Sequence, residues 1–237
     1  MPLSPASVAE QEYLKQIYLL HEDEGRATTQ MLADRMGVKP PSVTAMIKRL
    51  AEDEDGPLVR HMPYHGVDLT ERGVAVALEM LRHHRLIELF LSELLGVPWD
   101  RVHEEADRLE HVLSEDLEER IAAKLGNPTV DPHGDPIPSR EGVITARELV
   151  RLTELPAGTT GVISRIDQQE GPVLQYLASL GLILEETVTV ESIAPFGGVV
   201  TVRVGTSGRA NVHALGGELA RHILIALAYD ETEGSRR

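Results

Sequence analysis

Cysteine is absent from all 237 residues, so no disulfide framework and no thiolate metal ligand is available. Aromatic residues are nearly as scarce, with two Phe and one Trp in a 3% aromatic total, so any core is aliphatic, built from Leu, Val, Ile and Ala. Long apolar runs are missing too, since nothing approaches the roughly 20 residues that span a bilayer. The opening stretch MPLSPASVAEQE has neither a basic n-region nor an apolar h-region, so no signal peptide is expected and cytoplasm is the default compartment. Positive charge is short as well. The formal net charge of −15 disfavours nucleic-acid binding on a global count, yet it says little about a local patch, and a bound dication would offset part of it. A chain of this length suits two or three domains.

What is present concentrates in His103-Glu-Glu-Ala-Asp107-Arg-Leu-Glu110-His111, which sets imidazoles and carboxylates at i, i+4, i+7 and i+8. On a helix turning every 3.6 residues these four share one face. Folding alone asks for Leu, Val or Ile in such a stripe. Neutral imidazole with carboxylate is instead the ligand set of a first-row divalent cation. His84 and Glu88, also four apart, add the same chemistry upstream. The competing reading is a solvated face of an acidic protein; a metal accounts better for the cluster of four.

Around this cluster the periodicity is legible. Residues 8 to 21 place Tyr13, Leu14, Ile17, Tyr18 and Leu20 at helical spacing, ended by Gly25. Thr28 or Thr29 caps a second helix closed by Gly37, and Pro41 suits the first turn of a third, which turns Val43, Met46, Ile47 and Leu50 inward. Two short runs, 58–62 and 67–70, read as a hairpin, so the order is that of a winged helix-turn-helix. Helical spacing then runs from Glu71 to Leu95, and further helices are expected over about 100–112 and from Ser114 to about 125. The proline-rich stretch 126–142 reads as a domain boundary. Beyond it come strands near 160–166, 187–192 and 199–204 with a helix over 173–180, as in a small β-barrel. Residues 217–229 fit either a strand or a short helix, and the last residues read as a disordered tail. The fold class expected is mainly α with a small β domain, divided into 1–73 (winged helix-turn-helix), 74–142 (helical, metal-binding and dimerising), 143–230 (SH3-like, FeoA-like) and a tail 231–237.

Local charge supports DNA binding despite the global balance. Between Arg35 and Ala51 no carboxylate occurs, while Arg35, Lys39, Lys48 and Arg49 all do. Pro40, Pro41, Ser42 and Thr44 open the third helix with short side chains that allow close approach to the major groove. Arg60, His61 and His65 in the hairpin are placed to follow the flanking backbone. The alternative is a protein-interaction module in which these basic residues are merely solvated.

Three segments in order, Glu12-Tyr-Leu-Lys-Gln-Ile-Tyr18, His84-Arg-Leu-Ile-Glu88 and Val102 to His111, together resemble the diphtheria toxin repressor family of metal-dependent transcription regulators. The likeness runs on through Asn127-Pro to Pro136-Ile-Pro138 and weakens after about residue 140. It implies a winged helix-turn-helix, a helical dimerisation domain and an SH3-like domain. It also implies a homodimer on an inverted repeat of double-stranded DNA, repressing metal-uptake genes, with no organic substrate and no membrane role. It implies two metal sites per subunit: a primary one from Glu12, Asp107, Glu110 and His111, and an ancillary one from His84, Glu88 and His103 with Glu170 as a further ligand. Another ancillary ligand position of the iron-type members is Val173 here. Those members place methionine and cysteine where this chain has Glu12 and Asp107, a change from soft sulfur to hard oxygen that favours Mn²⁺ over Fe²⁺. Manganese-sensing members carry a second carboxylate one turn after the first, and that position is Lys15 here, which argues against a closely bridged two-manganese cluster.

The mechanism this suggests is that one cation ties the first helix to a helix a hundred residues later. Without it, carboxylates crowding one spot would repel, loosening that helix and misplacing the recognition helix. A metalloenzyme is the main rival from another class, but the chain has no HExxH pattern and no nucleophile elbow. A regulator sensing an organic ligand, with the cluster as a plain ion-pair network, and a metal buffer that binds no DNA are the others.

Overall fold

The computed structural model describes residues 6–62, 66–145, 147–205 and 210–227. The chain forms two compact units: Met1–Ile87 with Asp107–Lys124 and Ile137–Ile144, and Glu88–Ala106 with Leu125–Pro136 and Thr145–Arg237.

The first unit begins with α1 (Val8–Glu24), whose Glu10 carboxylate accepts from the Ser7 backbone N–H at 2.7 Å and closes a capping box. Gly25, at φ 69°, ends it. α2 (Thr29–Met36) is capped by the Thr28 hydroxyl, and α3 (Pro40–Ala51) starts on two prolines, where missing N–H groups cost nothing. Leu14, Ile17, Leu32, Val43 and Leu50 are fully buried and form one aliphatic core with Leu58 and Val67. β1 (Val59–Met62) pairs antiparallel with β2 (Gly66–Leu69), completing the expected order of helices and hairpin. The turn carrying Pro63, Tyr64 and His65 lies outside the described residues. α4 (Glu71–Leu95) follows directly. Its Gly73 leaves no room for a side chain, because a Cβ there would lie 2.0 Å from the Leu58 carbonyl oxygen.

α5 (Val102–Leu109) stops three residues short of the expected end. Glu110–Val112 form a 3₁₀ turn, and α6 (Glu115–Lys124) comes next. The tighter turn matters because Glu110 and His111 leave the α-helical spacing that their sequence positions imply.

The second unit holds an antiparallel sheet of order β3-β8-β4-β5-β6-β7, with β3 (Val150–Arg151) and β7 (Asn211–Leu215) at its edges. β4 (Thr160–Ile166), α7 (Gly171–Ser179), β5 (Thr187–Ile193) and β6 (Val200–Val204) fall where period-2 and helical patterns place them. Residues 217–227 resolve the open choice in favour of both forms: α8 (Gly217–Ala220) and then β8 (Ile223–Leu227), with 228 onward, the expected tail included, outside the described residues. Ile163, Ile166, Leu174, Leu177, Val190, Val202, Ile223 and Ile225 are fully buried between sheet and helix.

Part of the proline-rich stretch is a packed loop. Asp131, His133 and Asp135 are buried there, and the Asp131 carboxylate accepts from the backbone N–H of His133 and Asp135 at 2.8 and 2.9 Å. The loop is fastened to β4 by the Ile166 N–H donating to the His133 carbonyl at 2.9 Å. Gly134, at φ 87°, sits so close that a Cβ would meet the Ser164 carbonyl oxygen at 2.0 Å.

Candidate metal centres and DNA-reading surface

In the first unit, α1 brings Glu12 to the end of α5. Glu12 Oε2 lies 3.6 Å from His111 Nε2, which is 3.2 Å from Glu110 Oε1, and ligand atoms of Glu12, Glu110 and His111 all fall within 4.8 Å of one another. Gln11, one residue before Glu12, accepts from His111 Nδ1 at 2.9 Å. With that nitrogen donating, Nε2 presents its lone pair to the carboxylates, the tautomer a metal requires. Asp107 and His84 also gather at Glu110: His84 Nδ1 lies 2.6 Å from Glu110 Oε2 and 3.4 Å from Asp107 Oδ1. Glu12, Glu110 and His111 thus form one group, and Asp107, Glu110 and His84 form a second that shares Glu110.

Sequence reasoning gave no positive role to Lys15. Its buried ammonium lies 2.6 Å from Glu110 Oε1, 3.1 Å from Glu12 Oε2 and 3.3 Å from Asp107 Oδ1. Burial alone would push this amine down, but Glu110, Glu12 and Asp107 together hold it above the ordinary lysine range. Glu110 responds in kind. Burial would raise its carboxyl, yet the hydrogen bond from His84 and the charge of Lys15 keep it below the usual carboxylate range. The expectation that metal-free carboxylates simply repel one another is thus corrected, because an internal cation already stands among them.

α4 braces this group from the side. His83 is buried, with Nδ1 donating to the Glu110 carbonyl at 3.1 Å and Nε2 at 3.2 Å from Glu118 Oε2, and Glu118 also pairs with Arg82. Burial would lower the His83 imidazole, but its bonds to Glu118 and Glu110 raise it overall.

In the second unit Glu88, fully buried on α4, accepts from His103 Nδ1 at 3.1 Å. Asp131 and His133 complete a buried group with Glu88, their ligand atoms also within 4.8 Å of one another. His133 stacks on Trp99, 5.7 Å between ring centres, and donates from Nε2 to the Trp99 carbonyl at 2.9 Å. Its Nδ1 therefore carries the lone pair, is buried with no hydrogen-bond partner among the described residues, and lies 3.9 Å from Glu88 Oε2. A buried imidazole nitrogen in that condition, aimed at a carboxylate, fits a cation between them. Asp131 and His133 escape sequence reasoning because they sit in a proline-rich stretch that reads as a domain boundary. Their Asp-Pro-His spacing was the available signal. Glu170 is exposed at the N-terminus of α7 and belongs to none of the clusters found among the described residues.

On the DNA side, Lys39, Pro40, Pro41, Ser42 and Thr44 are exposed along the start of α3, while Val43 points into the core. The Thr44 hydroxyl, exposed, donates to the Pro40 carbonyl at 3.1 Å. The basic patch is thinner than the sequence window implies. Arg35 pairs with Asp23 at 3.0 Å, Arg49 with Glu10 at 2.8 Å, and Lys48 lies 4.0 Å from Glu52, all three carboxylates coming from outside residues 35–51. Arg49 thus locks α3 to α1. Arg60 and His61 are exposed on β1; His65 lies outside the described residues.

Residues 5–67 match the family described as iron dependent repressor, N-terminal DNA binding domain. Residues 70–139 match its metal binding and dimerisation domain, and residues 150–227 match the FeoA domain. The iron-dependent repressor IdeR of Mycobacterium tuberculosis is 38% identical over 205 residues, covering 81% of this chain and 87% of that protein. The diphtheria toxin repressor of Corynebacterium efficiens is 32% identical over 68% of this chain and 75% of its own length. Among solved structures, a manganese-dependent transcriptional repressor in complex with manganese superposes with a TM-score of 0.84 at 38% identity, covering 92% of this chain and all of that one. An IdeR from T. acidophilum superposes at 0.75 with 31% identity over 95% of this chain and 100% of its own. With the metal-ligand clusters and the helix-turn-helix in place, the chain belongs to the diphtheria toxin repressor family of metal-dependent, DNA-binding repressors.

Proposed function

We propose that this protein is a Mn²⁺-responsive repressor that binds an inverted-repeat operator as a homodimer, acts on metal-uptake genes, works in the cytoplasm and is not an enzyme. Residues 1–73 would read DNA, 74–142 hold metal and dimerise, and 143–230 support the second site. The carrying observation is the convergence of Glu12, on the helix that starts the DNA-binding segment, with Asp107, Glu110 and His111 from nearly a hundred residues later. We assign those four as ligands of the primary site, with Gln11 orienting His111 and His84 orienting Glu110. Glu88, Asp131, His133 and His103 are assigned to a second site.

Mn²⁺ is favoured because the donors are carboxylate oxygens and imidazoles with no sulfur, and oxygen-rich sets suit the metal of lowest intrinsic affinity. Fe²⁺ is the second reading, supported by the iron-dependent repressors among the relatives. A bound dication would supply positive charge that ties α1 to the turn after α5. The chain's own residues transmit this: α1 packs on α2, and Arg49 couples α3 to Glu10 of α1. At 100 times its dissociation constant, a ligand binding one form alone stabilises it by about 2.7 kcal/mol, roughly a hundredfold shift in population. Ser42 and Thr44 at the exposed start of α3, with Pro40 and Pro41, are assigned to the major groove, and Arg35, Lys39, Lys48, Arg49 and Arg60 to the phosphates. Exposed Leu109, Val112 and Leu117 offer the apolar surface for a twofold contact.

Genomic fragments captured by the protein in Mn²⁺ provide the probe, and mobility shifts with and without chelator provide the test. Mn²⁺ should lower the DNA dissociation constant at least tenfold; equal affinity in both conditions would refute the proposal. Elemental analysis of gently purified protein separates manganese from iron.

A further inference from the structure

The unusual member of the primary cluster is Lys15. A buried ammonium is normally paired with one carboxylate; here it contacts three, and all three are the carboxylates assigned to the metal. Its position matches that of a cation rather than of a bystander, since the shortest contact, 2.6 Å, is to the fully buried Glu110. The geometry also joins distant chain segments: Nζ bonds Glu110 and Asp107 across 95 and 92 residues, while its own stem belongs to α1.

We propose that Lys15 is an internal counter-cation that sets the affinity of the primary site and holds α1 against Glu110 when no metal is bound. This rests on the metal-site reading given above. Two consequences follow from charge and reach. A dication approaching Glu12, Asp107 and Glu110 meets an ammonium already satisfying them, so binding requires the lysine to withdraw along its flexible four-carbon stem. The site is thereby tuned weaker than its carboxylate count suggests, and it responds only when the metal is plentiful. Meanwhile the metal-free protein keeps a weaker tether of α1, in place of mutual repulsion among carboxylates.

The test uses the full-length chain as wild type, Lys15→Met, Lys15→Gln and Lys15→Arg. Mn²⁺ titrations followed by the EPR signal of the free ion resolve the two classes of site, and thermal unfolding in chelator reports the metal-free tether. Lys15→Met and Lys15→Gln should bind Mn²⁺ at least tenfold tighter at one class, leave the other within twofold, and melt lower in chelator. Lys15→Arg, which keeps the charge, should bind no tighter than wild type. A neutral variant unfolded in chelator should fold when Mn²⁺ is added; one that stays unfolded overturns the proposal. Wild-type or weaker Mn²⁺ affinity in both neutral variants also overturns it. If Glu12→Gln, with Lys15 retained, binds Mn²⁺ at both classes of site as the wild type does, the metal-site assignment itself fails, a result distinct from any failure of Lys15.

Discussion

Replacing Glu110 with Gln isolates the charge at the centre of the first unit while keeping shape and one acceptor. Glu110 is fully buried and its partner Lys15 nearly so, with 2.6 Å between Nζ and Oε1. Removing one member of such a pair leaves the other charge stranded, at a cost of about 3–5 kcal/mol. Glu12 and Asp107 remain beside Lys15, but at 29% and 48% side-chain exposure they are screened by water. The expected loss is therefore about 3 kcal/mol, at the lower end of that range. For a chain of this size that is a fall of about 6–12 °C in the melting midpoint. The measurement is urea and thermal unfolding in chelator at pH 7, for wild type, Glu110→Gln, Lys15→Met and the double variant. Because the two side chains are in contact, the double variant should cost about 2 kcal/mol less than the sum of the single ones. The pH profile follows from the sign of the shift. Glu110 is held below its ordinary range, so its contribution is complete above the unfolded carboxyl value of about 4.3 and fades as pH falls through the lower folded value. Additive costs within about 0.5 kcal/mol would show that Lys15 and Glu110 do not interact in the metal-free protein, and the reasoning would fail.

Other perturbations test separate parts of the account. Glu88→Gln should reduce bound Mn²⁺ from two ions per chain to one, and retention of two would remove Glu88 from the second site. Val112→Glu, at an exposed position of the 3₁₀ turn, should convert a dimer to a monomer in sedimentation equilibrium; unchanged sedimentation would place the twofold contact elsewhere. Lys39→Ala should weaken DNA binding and flatten the dependence of log affinity on log salt by about one, as loss of a single phosphate contact requires. An unaltered slope would mean that Lys39 does not reach the backbone.

Much of this architecture could be read from residue order, and the reasons differ between elements. The helix-turn-helix was legible because Val43, Ile47 and Leu50 repeat with the helical period and Gly25, Gly37 and Pro41 mark the breaks. Asp107, Glu110 and His111 stand out by their helical spacing and Glu12 through a family pattern; Glu12 lies with Glu110 and His111, and Asp107 with Glu110 and His84. Lys15 was visible only as a departure from that pattern, since its value lies in partners 92 and 95 residues away. Arg35 and Arg49 illustrate the converse: a window free of acids hid the pairings with Asp23 and Glu10 that come from α1. The edge strands β3 and β7 escaped because one has two residues and the other is mostly exposed, so neither shows a clean alternation.

Gly134 carries a responsibility out of proportion to its size. Any residue with a Cβ at that position would collide with the backbone of β4, and relief would come from sliding the loop outward. His133, next in the chain and seated on Trp99, would travel with it. A lesion at a residue that offers no donor atom would then register as lost affinity for the second ion, so screening for metal-blind mutants should recover this glycine alongside the side chains that bind.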